Sequence, residues 1–197
     1  MEDPRDDDGI VRVVGLHAMG RRPTLETERL VLRPFHAADA PEVMRLAGDA
    51  AIASTTMNIP HPYDLGMAEA WIGSHQEGFD EGRLVNFAIT LREEDRLVGA
   101  IGLVVAPAHA HAELGYWIGR EHWNRGYATE AAQAVVRHGF EAVDLHRIHA
   151  RHFARNPASG RVLQKIGMRH EGRQPQHVRK QDGFEDLELY GLLRPHA

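Results

Sequence analysis

The chain contains no cysteine. That excludes a disulfide framework, a thiolate metal site and a thiol nucleophile. It fits a reducing compartment, and a cytoplasmic location is the expectation. No uninterrupted apolar run approaches the roughly 20 residues of a membrane-spanning helix, so no membrane partner is expected. Charge of one sign is also scarce: 23 Lys and Arg against 28 Asp and Glu leave a net charge of −5. Nucleic-acid binding usually demands a basic face, so no such partner is expected. The start, Met1-Glu2-Asp3-Pro4-Arg5-Asp6-Asp7-Asp8, lacks the basic-then-apolar order of a signal peptide. Residues 1–22 read as a poorly ordered leader, in which 10–16 carry enough valine and isoleucine for an extra edge strand. Fourteen histidines are present, yet no His-Glu-x-x-His pairing occurs. His109 and His111 share strand parity, as do His146 and His152, but scattered surface histidine is the better reading and no metal is expected.

What is present suits a soluble α/β chain. Its 197 residues are 43% hydrophobic and 26% charged, which is ordinary for one globular domain, here 23–197. A short strand at 30–33 stops at Pro34. Asp39 and Pro41 open a helix carrying Val43, Met44 and Leu46. Residues 48–64 are a loop by composition, and a helix follows over 65–80. Strands at 84–91, 97–105 and 112–118 form an antiparallel meander. The clearest element is a helix over 126–143, whose Ala131, Ala132, Val135, Val136, Gly139 and Phe140 form one stripe. A strand at 147–152, a helix from Asn156 to Gly167, and strands at 168–172 and 185–192 complete the chain. The last two are joined by a polar connection, 173–182. The long helix lies between strands that a right-handed crossover makes parallel.

The most informative stretch is Glu113-Leu114-Gly115-Tyr116-Trp117-Ile118 followed by Trp123-Asn124-Arg125-Gly126-Tyr127-Ala128-Thr129-Glu130-Ala131. It reads strand, turn, helix. The N–H groups at such a helix start are natural partners for an anion such as phosphate. Gly126 lets the backbone approach a ligand, and Ala128 is small where a larger side chain would block it. The turn is neither a Walker loop nor a dinucleotide fingerprint, because both glycine patterns are missing. On pattern alone, a tight turn without a ligand reads equally well.

Four pieces together carry a resemblance. They are Leu25-Glu26-Thr27-Glu28-Arg29-Leu30-Val31-Leu32-Arg33-Pro34, the strand 113–118, the turn 123–131, and Asn156-Pro157-Ala158-Ser159 with Lys165-Ile166-Gly167-Met168. In this order the chain resembles the GCN5-related N-acetyltransferases (GNAT), in the branch that includes ribosomal-protein N-terminal acetyltransferases, the RimJ/RimL-like group. The superfamily's loop usually begins with Gln or Arg. Trp123 stands there instead, as an aromatic commonly does in this branch.

The resemblance implies a mixed, mostly antiparallel sheet of about seven strands, splayed at an acyl-CoA site, with flanking helices. It implies direct transfer of an acetyl group from acetyl-CoA to a primary amine: a protein N-terminus, a polyamine or another small amine such as an antibiotic. Homodimers are frequent among such proteins. The pyrophosphate would lie on the amides of Arg125 to Thr129, with Asn124, Gly126, Tyr127 and Ala128 in the same loop. The backbone of Tyr116, Trp117 and Ile118 would bond the pantetheine, and Gly115 marks the place of a strand bulge. Asn156 would bond the pantetheine arm, and Ser159 would sit near the sulfur as a proton donor. Many relatives use a tyrosine one turn further on, where this chain has Leu163. Glu113 is the candidate general base, read equally well as a strand-end carboxylate paired with an arginine. Packing is the preferred reading of the Tyr116 and Trp117 side chains, the backbone there being the binding element, and plain helix capping also accounts for Asn156. The acceptor site would be built by 47–82 and 173–182, where Asp49, Asp64, Glu69, Asp182 and Glu185 could attract a cation. His61 could line that pocket. Two other functions remain open: a CoA-binding module without transfer activity, and a phosphate-binding enzyme unrelated to CoA.

Overall fold

In the computed structural model, residues 21–180 and 183–195 are described. Most of the leader, including 10–16, and Asp182 lie outside them. Eight strands form one sheet in the order β1-β2-β3-β4-β5-β6-β8-β7. The strands are β1 (Leu25–Glu26), β2 (Leu30–Arg33), β3 (Leu84–Leu91), β4 (Leu97–Ala106), β5 (His111–Ile118), β6 (Arg147–Phe153), β7 (Arg169–Lys180) and β8 (Gly183–Leu193). The helices are α1 (Ala40–Ala47), α2 (Ala50–Thr55), α3 (Leu65–Gly73), α4 (His75–Asp80), α5 (Tyr127–Glu141) and α6 (Pro157–Lys165). Among the described residues, no helix is long and apolar enough to cross a membrane.

Two apolar cores cover the two faces of the sheet. On one, Leu103, Leu114 and Ile148 pack against Ala131, Val135 and Phe140 of α5. A Cβ at Gly139 would lie 2.8 Å from Ile148 Cδ1, so a larger residue there would require that side-chain end to move. On the other face, Ala88, Ala100 and Trp117 pack against Val43, Leu46, Ala68 and Ile72. The expected stripe of the long helix is the buried one.

The decisive feature lies in the middle. β5 and β6 are parallel and pair only at His111↔Arg147, Ala112↔Ile148 and Glu113↔His149. Beyond that point they part. β5 stays paired to β4 out to Gly99↔Ile118, and β6 stays paired to β8 out to Phe153↔Leu187. Gly102↔Gly115 sits in unbroken register, so Gly115 marks no bulge on the β4 side. The opening arises from the loss of β6 as a neighbour.

The eight strands fit the expected mixed, mostly antiparallel sheet of about seven. Other sequence expectations need correction. The polar connection 173–182 is mostly strand. β7 runs on through Lys180 and forms a long ribbon with β8. Its residues are largely exposed, so no apolar alternation announces it. Cross-strand pairs hold it instead: Arg173 with Asp186, and His170 with Glu188 at 2.6 Å. The loop 48–64 contains α2, capped by the Asp49 carboxylate, which accepts from the Ala51 N–H at 2.8 Å. The helix 65–80 is two helices divided at Ser74, whose hydroxyl bonds the Trp71 carbonyl at 2.8 Å. Such back-bonding competes with the helical ladder.

The break turns His75 inward, against Phe35 and Trp71 at ring distances of 5.4 and 4.5 Å. Burial, with the Arg22 charge nearby, lowers the His75 pKa from 6.5 to about 4. The neutral ring is therefore the folded form. Its contribution is fully present above pH 6.5 and is lost as pH falls towards 4. Thermal unfolding across that window is expected to show a falling Tm, and His75→Phe is expected to flatten the fall. An equal pH dependence in the variant would assign the loss to other groups.

Candidate active site

The gap between β5 and β6 is bridged once on each face. Alternation along β5 places Leu114 and Tyr116 towards α5 and α6, and Glu113, Gly115 and Trp117 towards α1 and α3. On the α6 side, the Tyr116 hydroxyl meets Ser159 Oγ at 2.8 Å and donates to the Ser159 carbonyl at 3.2 Å. On the other side, Arg151 Nε donates to Glu113 Oε1 at 2.8 Å. Glu113 is thus the arginine-paired carboxylate that one of its two sequence readings described. Burial raises the Tyr116 pKa from 10.0 to about 12, only partly offset by the bond to Ser159, so the phenol keeps its proton past the point where a free tyrosine ionises.

Two cavities meet at this gap. One, of about 390 Å³, runs over the start of α5 and is lined by Ile118, Trp123, Asn124, Gly126, Thr129 and Asn156, among others. The other, of about 520 Å³, opens on the α1–α3 face and holds Glu113 and Arg151. Tyr116, Trp117 and Ser159 line both, as do Thr55 and Thr56 of the α2 end.

The turn before α5 has the geometry of an anion cradle. Asn124 and Gly126 both take positive φ, 59° and 82°. A Cβ at Gly126 would be strained and would lie 3.3 Å from Arg29 Nη2. The Tyr127 and Ala128 N–H groups, in the first turn of the helix, have no intrahelical acceptor. The Thr129 N–H is already bonded to Gly126 O at 3.1 Å. Trp123 closes the turn from below, its indole N–H donating to Ile118 O at 2.6 Å. That bond explains an aromatic at this place, and it also occupies the Ile118 carbonyl.

A brace from the start of the chain holds the helix entry. The Glu130 carboxylate accepts from Thr27 Oγ1 at 2.6 Å and from the Arg29 N–H at 2.9 Å, and pairs with the Arg29 guanidinium at 2.7 Å. Burial opposes its charge, but these donors outweigh it and hold the carboxyl below its usual range. Arg29 Nη1 also donates to Arg125 O at 3.0 Å, and its guanidinium lies 5.1 Å above the Tyr127 ring.

The structure brings together Tyr116, Trp117, Ile118, Asn124, Gly126, Tyr127, Ala128, Thr129, Asn156 and Ser159 around one cleft. Arg125 is exposed and does not line the cleft, and its carbonyl is held by Arg29. Asn156 caps α6, its side chain accepting from the Ser159 N–H at 3.4 Å. Leu163 is buried in the core. His61 lies away from both cavities, bonded to Gly48 O at 3.0 Å. Three features escaped the sequence reading. The Tyr116 side chain belongs to the site through its bond to Ser159 rather than to packing alone. Arg161 and Lys165, one turn apart on α6, also line the smaller cavity. Their spacing of four was the available signal.

Residues 29–169 match the family model described as an acetyltransferase (GNAT) domain. The chain belongs to the GNAT acetyltransferase family. It is 32% identical to the uncharacterized N-acetyltransferase YoaA of Bacillus subtilis, over 88% of this chain and 98% of that protein. It is 28% identical to the ribosomal protein uS5-alanine N-acetyltransferase of Escherichia coli, over 87% and 91% of the two chains. The structure of Mycobacterium smegmatis RimJ in complex with CoA-disulfide shares its fold, with a TM-score of 0.76 at 24% identity, covering 83% of this chain and 81% of that one. This GNAT protein is an N-acetyltransferase, and its relatives include ribosomal-protein acetyltransferases of the RimJ/RimL-like group.

The brace makes a local prediction. Arg29→Met is expected to speed amide hydrogen exchange at 124–128 by about tenfold while leaving β7 and β8 unchanged. Unaltered exchange at the turn would mean that Arg29 does not hold it.

Proposed function

We propose that this acetyltransferase binds acetyl-CoA along the smaller cavity and transfers its acetyl group to a primary amine entering from the larger one. The observation that carries this reading is the meeting of the two cavities at the Tyr116–Ser159 bond, in the gap where β5 and β6 part. The residues present fit the proposed guest. A left-handed Gly126 and small Ala128 leave room over the free amides of Tyr127 and Ala128. Arg161 and Lys165 add positive charge along the same cleft. The CoA-disulfide in the RimJ complex supports the choice of guest. When bound, the thioester supplies an activated acetyl group.

The chain's own groups then divide the work. The β5 edge beyond Glu113, no longer paired to β6, offers backbone N–H and C=O groups to a pantetheine arm. Asn156 fixes the start of α6 and so the position of Ser159. The Tyr116 and Ser159 hydroxyls share one hydrogen bond, and the phenol stays protonated, so the pair can pass a proton to a sulfur leaving group. It fills the place that Leu163 leaves without chemistry. Glu113, on the amine side, can take the proton that the acceptor gives up. An α-amine, with a reference pKa near 8, needs little help to lose it.

Calorimetric titration with CoA is expected to show affinity at least about a hundredfold weaker for Gly126→Val than for the wild type. Unchanged affinity would remove the turn from the binding site. Tyr116→Phe is expected to lower kcat by about tenfold to a hundredfold with CoA affinity intact. A kcat equal to wild type in thiol-release assays would take the phenol out of the proton path.

A further inference from the structure

The larger cavity carries information about the acceptor. Its walls are mainly apolar, with Met57, Ile59, Tyr63, Met67 and Trp71 facing Trp117 across the opening. Among the described residues, and besides the His152 imidazole, its lining contains one acid and one base, Glu113 and Arg151. Among the described residues, three carboxylates that could draw in a multiply charged amine are engaged elsewhere. Asp49 caps α2, Asp64 caps α3 through the Met67 N–H at 2.8 Å, and Glu185 pairs with Arg155 at 2.8 Å. Neither these three nor Glu69 lines the cavity. Lys180 spends its ammonium on the Met57 and Ile59 carbonyls, at 3.4 and 3.2 Å, and so pins the apolar wall to the β7 ribbon.

The Glu113–Arg151 pair is half used. One carboxylate oxygen and the guanidinium Nε satisfy each other. The other oxygen and the two terminal nitrogens have no hydrogen-bond partner among the described residues. Glu113 is the last β5 residue paired to β6, and Arg151 lies two residues beyond its partner His149, so the pair stands where the gap that leads to Tyr116 and Ser159 begins. A neutral, amphoteric pair beside an apolar wall is matched by a ligand with one cation, one anion and an apolar body. It is a poor match for a polyamine, whose several cations would meet one carboxylate.

We propose that the acceptor is a free α-amino carboxylate with an apolar or aromatic side chain. Its ammonium is received by Glu113, its carboxylate lies on the terminal nitrogens of Arg151, and its side chain enters the Tyr63–Met67–Trp71 wall. The Arg–carboxylate contact selects the free acid over the same residue at a peptide N-terminus, which has a carbonyl at that place. Glu113 takes one proton from the ammonium and the neutral nitrogen attacks the acetyl carbon. The C–S bond then breaks as the Tyr116–Ser159 pair protonates the leaving thiolate, and the second proton shed by the nitrogen as the amide forms returns to that pair. The inference rests on the donor and acceptor cavities being assigned as above.

The test is steady-state acetylation by the full chain, with product identified by mass spectrometry. The panel is leucine, methionine, phenylalanine and tryptophan, each as free acid, as amide and as the first residue of a tetrapeptide, together with spermidine. The free acids are expected to exceed their amides by about a hundredfold in kcat/KM, mainly through KM. Arg151→Gln is expected to bring that ratio near one, and Arg151→Lys to keep part of it. Amides or peptides used as well as the acids, spermidine preferred, or an acid-to-amide ratio unaffected by Arg151→Gln would each overturn the proposal. So would no turnover of any free acid. Calorimetry with CoA separates the two levels. CoA binding with turnover of other amines overturns only the acceptor class, whereas no CoA binding overturns the cavity assignment beneath it.

Discussion

The rest of the site depends on one constraint: β5 and β6 stop pairing after Glu113 and His149. Unpaired backbone inside a sheet is costly unless something else satisfies it. Here the outer edges of both strands remain fully paired, β5 to β4 and β6 to β8, so the opening does not unravel the sheet. The cost is confined to the inner edges, where a ligand with amide groups can offset it. Each face of the gap has a side-chain bridge, Tyr116–Ser159 on one and Glu113–Arg151 on the other. The parting of two strands thereby leaves a pair of hydrogen-bonded hydroxyls and an ion pair on opposite sides of one passage.

A second dependence runs through Glu130. The turn that presents the first amides of α5 contains two left-handed residues in three, Asn124 and Gly126. Such a turn has little stability of its own. Thr27 and Arg29, a hundred residues earlier, hold it through one carboxylate, and Arg29 also grips the carbonyl of Arg125. The small strands at the start of the chain therefore serve the turn as well as the sheet edge. Trp123 fastens the other end of the same turn to β5.

Much of the fold was legible because its signals are local. The apolar stripe of α5, the alternation of the meander and the Asn156-Pro157 start of α6 each follow from steric and hydrogen-bonding rules that act over a few residues. What was missed had weak or misleading local signals. The β7–β8 ribbon is polar on both faces and is held by Arg173, Asp186, His170 and Glu188 across strands, so its composition reads as a loop. α2 is short and sits among Ser, Thr and Pro residues. The site shows the same division. Gly126, Ala128, Asn156 and Ser159 stood out through local turn and cap signals together with the family resemblance, while the Tyr116 hydroxyl meets Ser159 across 43 positions.

The sequence by itself pointed to the family, because four short pieces, at 25–34, 113–118, 123–131 and 156–168, stand in one order along the chain. It also supplied Glu113 and Ser159 as groups able to hold protons. Only the tertiary structure decided what those groups face. Register along β5 sends Glu113 to Arg151 and Tyr116 to Ser159, and the packing of α1, α2 and α3 surrounds the first pair with apolar walls. Side-chain direction in a strand alternates with every residue, and strand separation depends on neighbours far away in the chain. Pairings across the gap therefore exist only once the sheet is assembled.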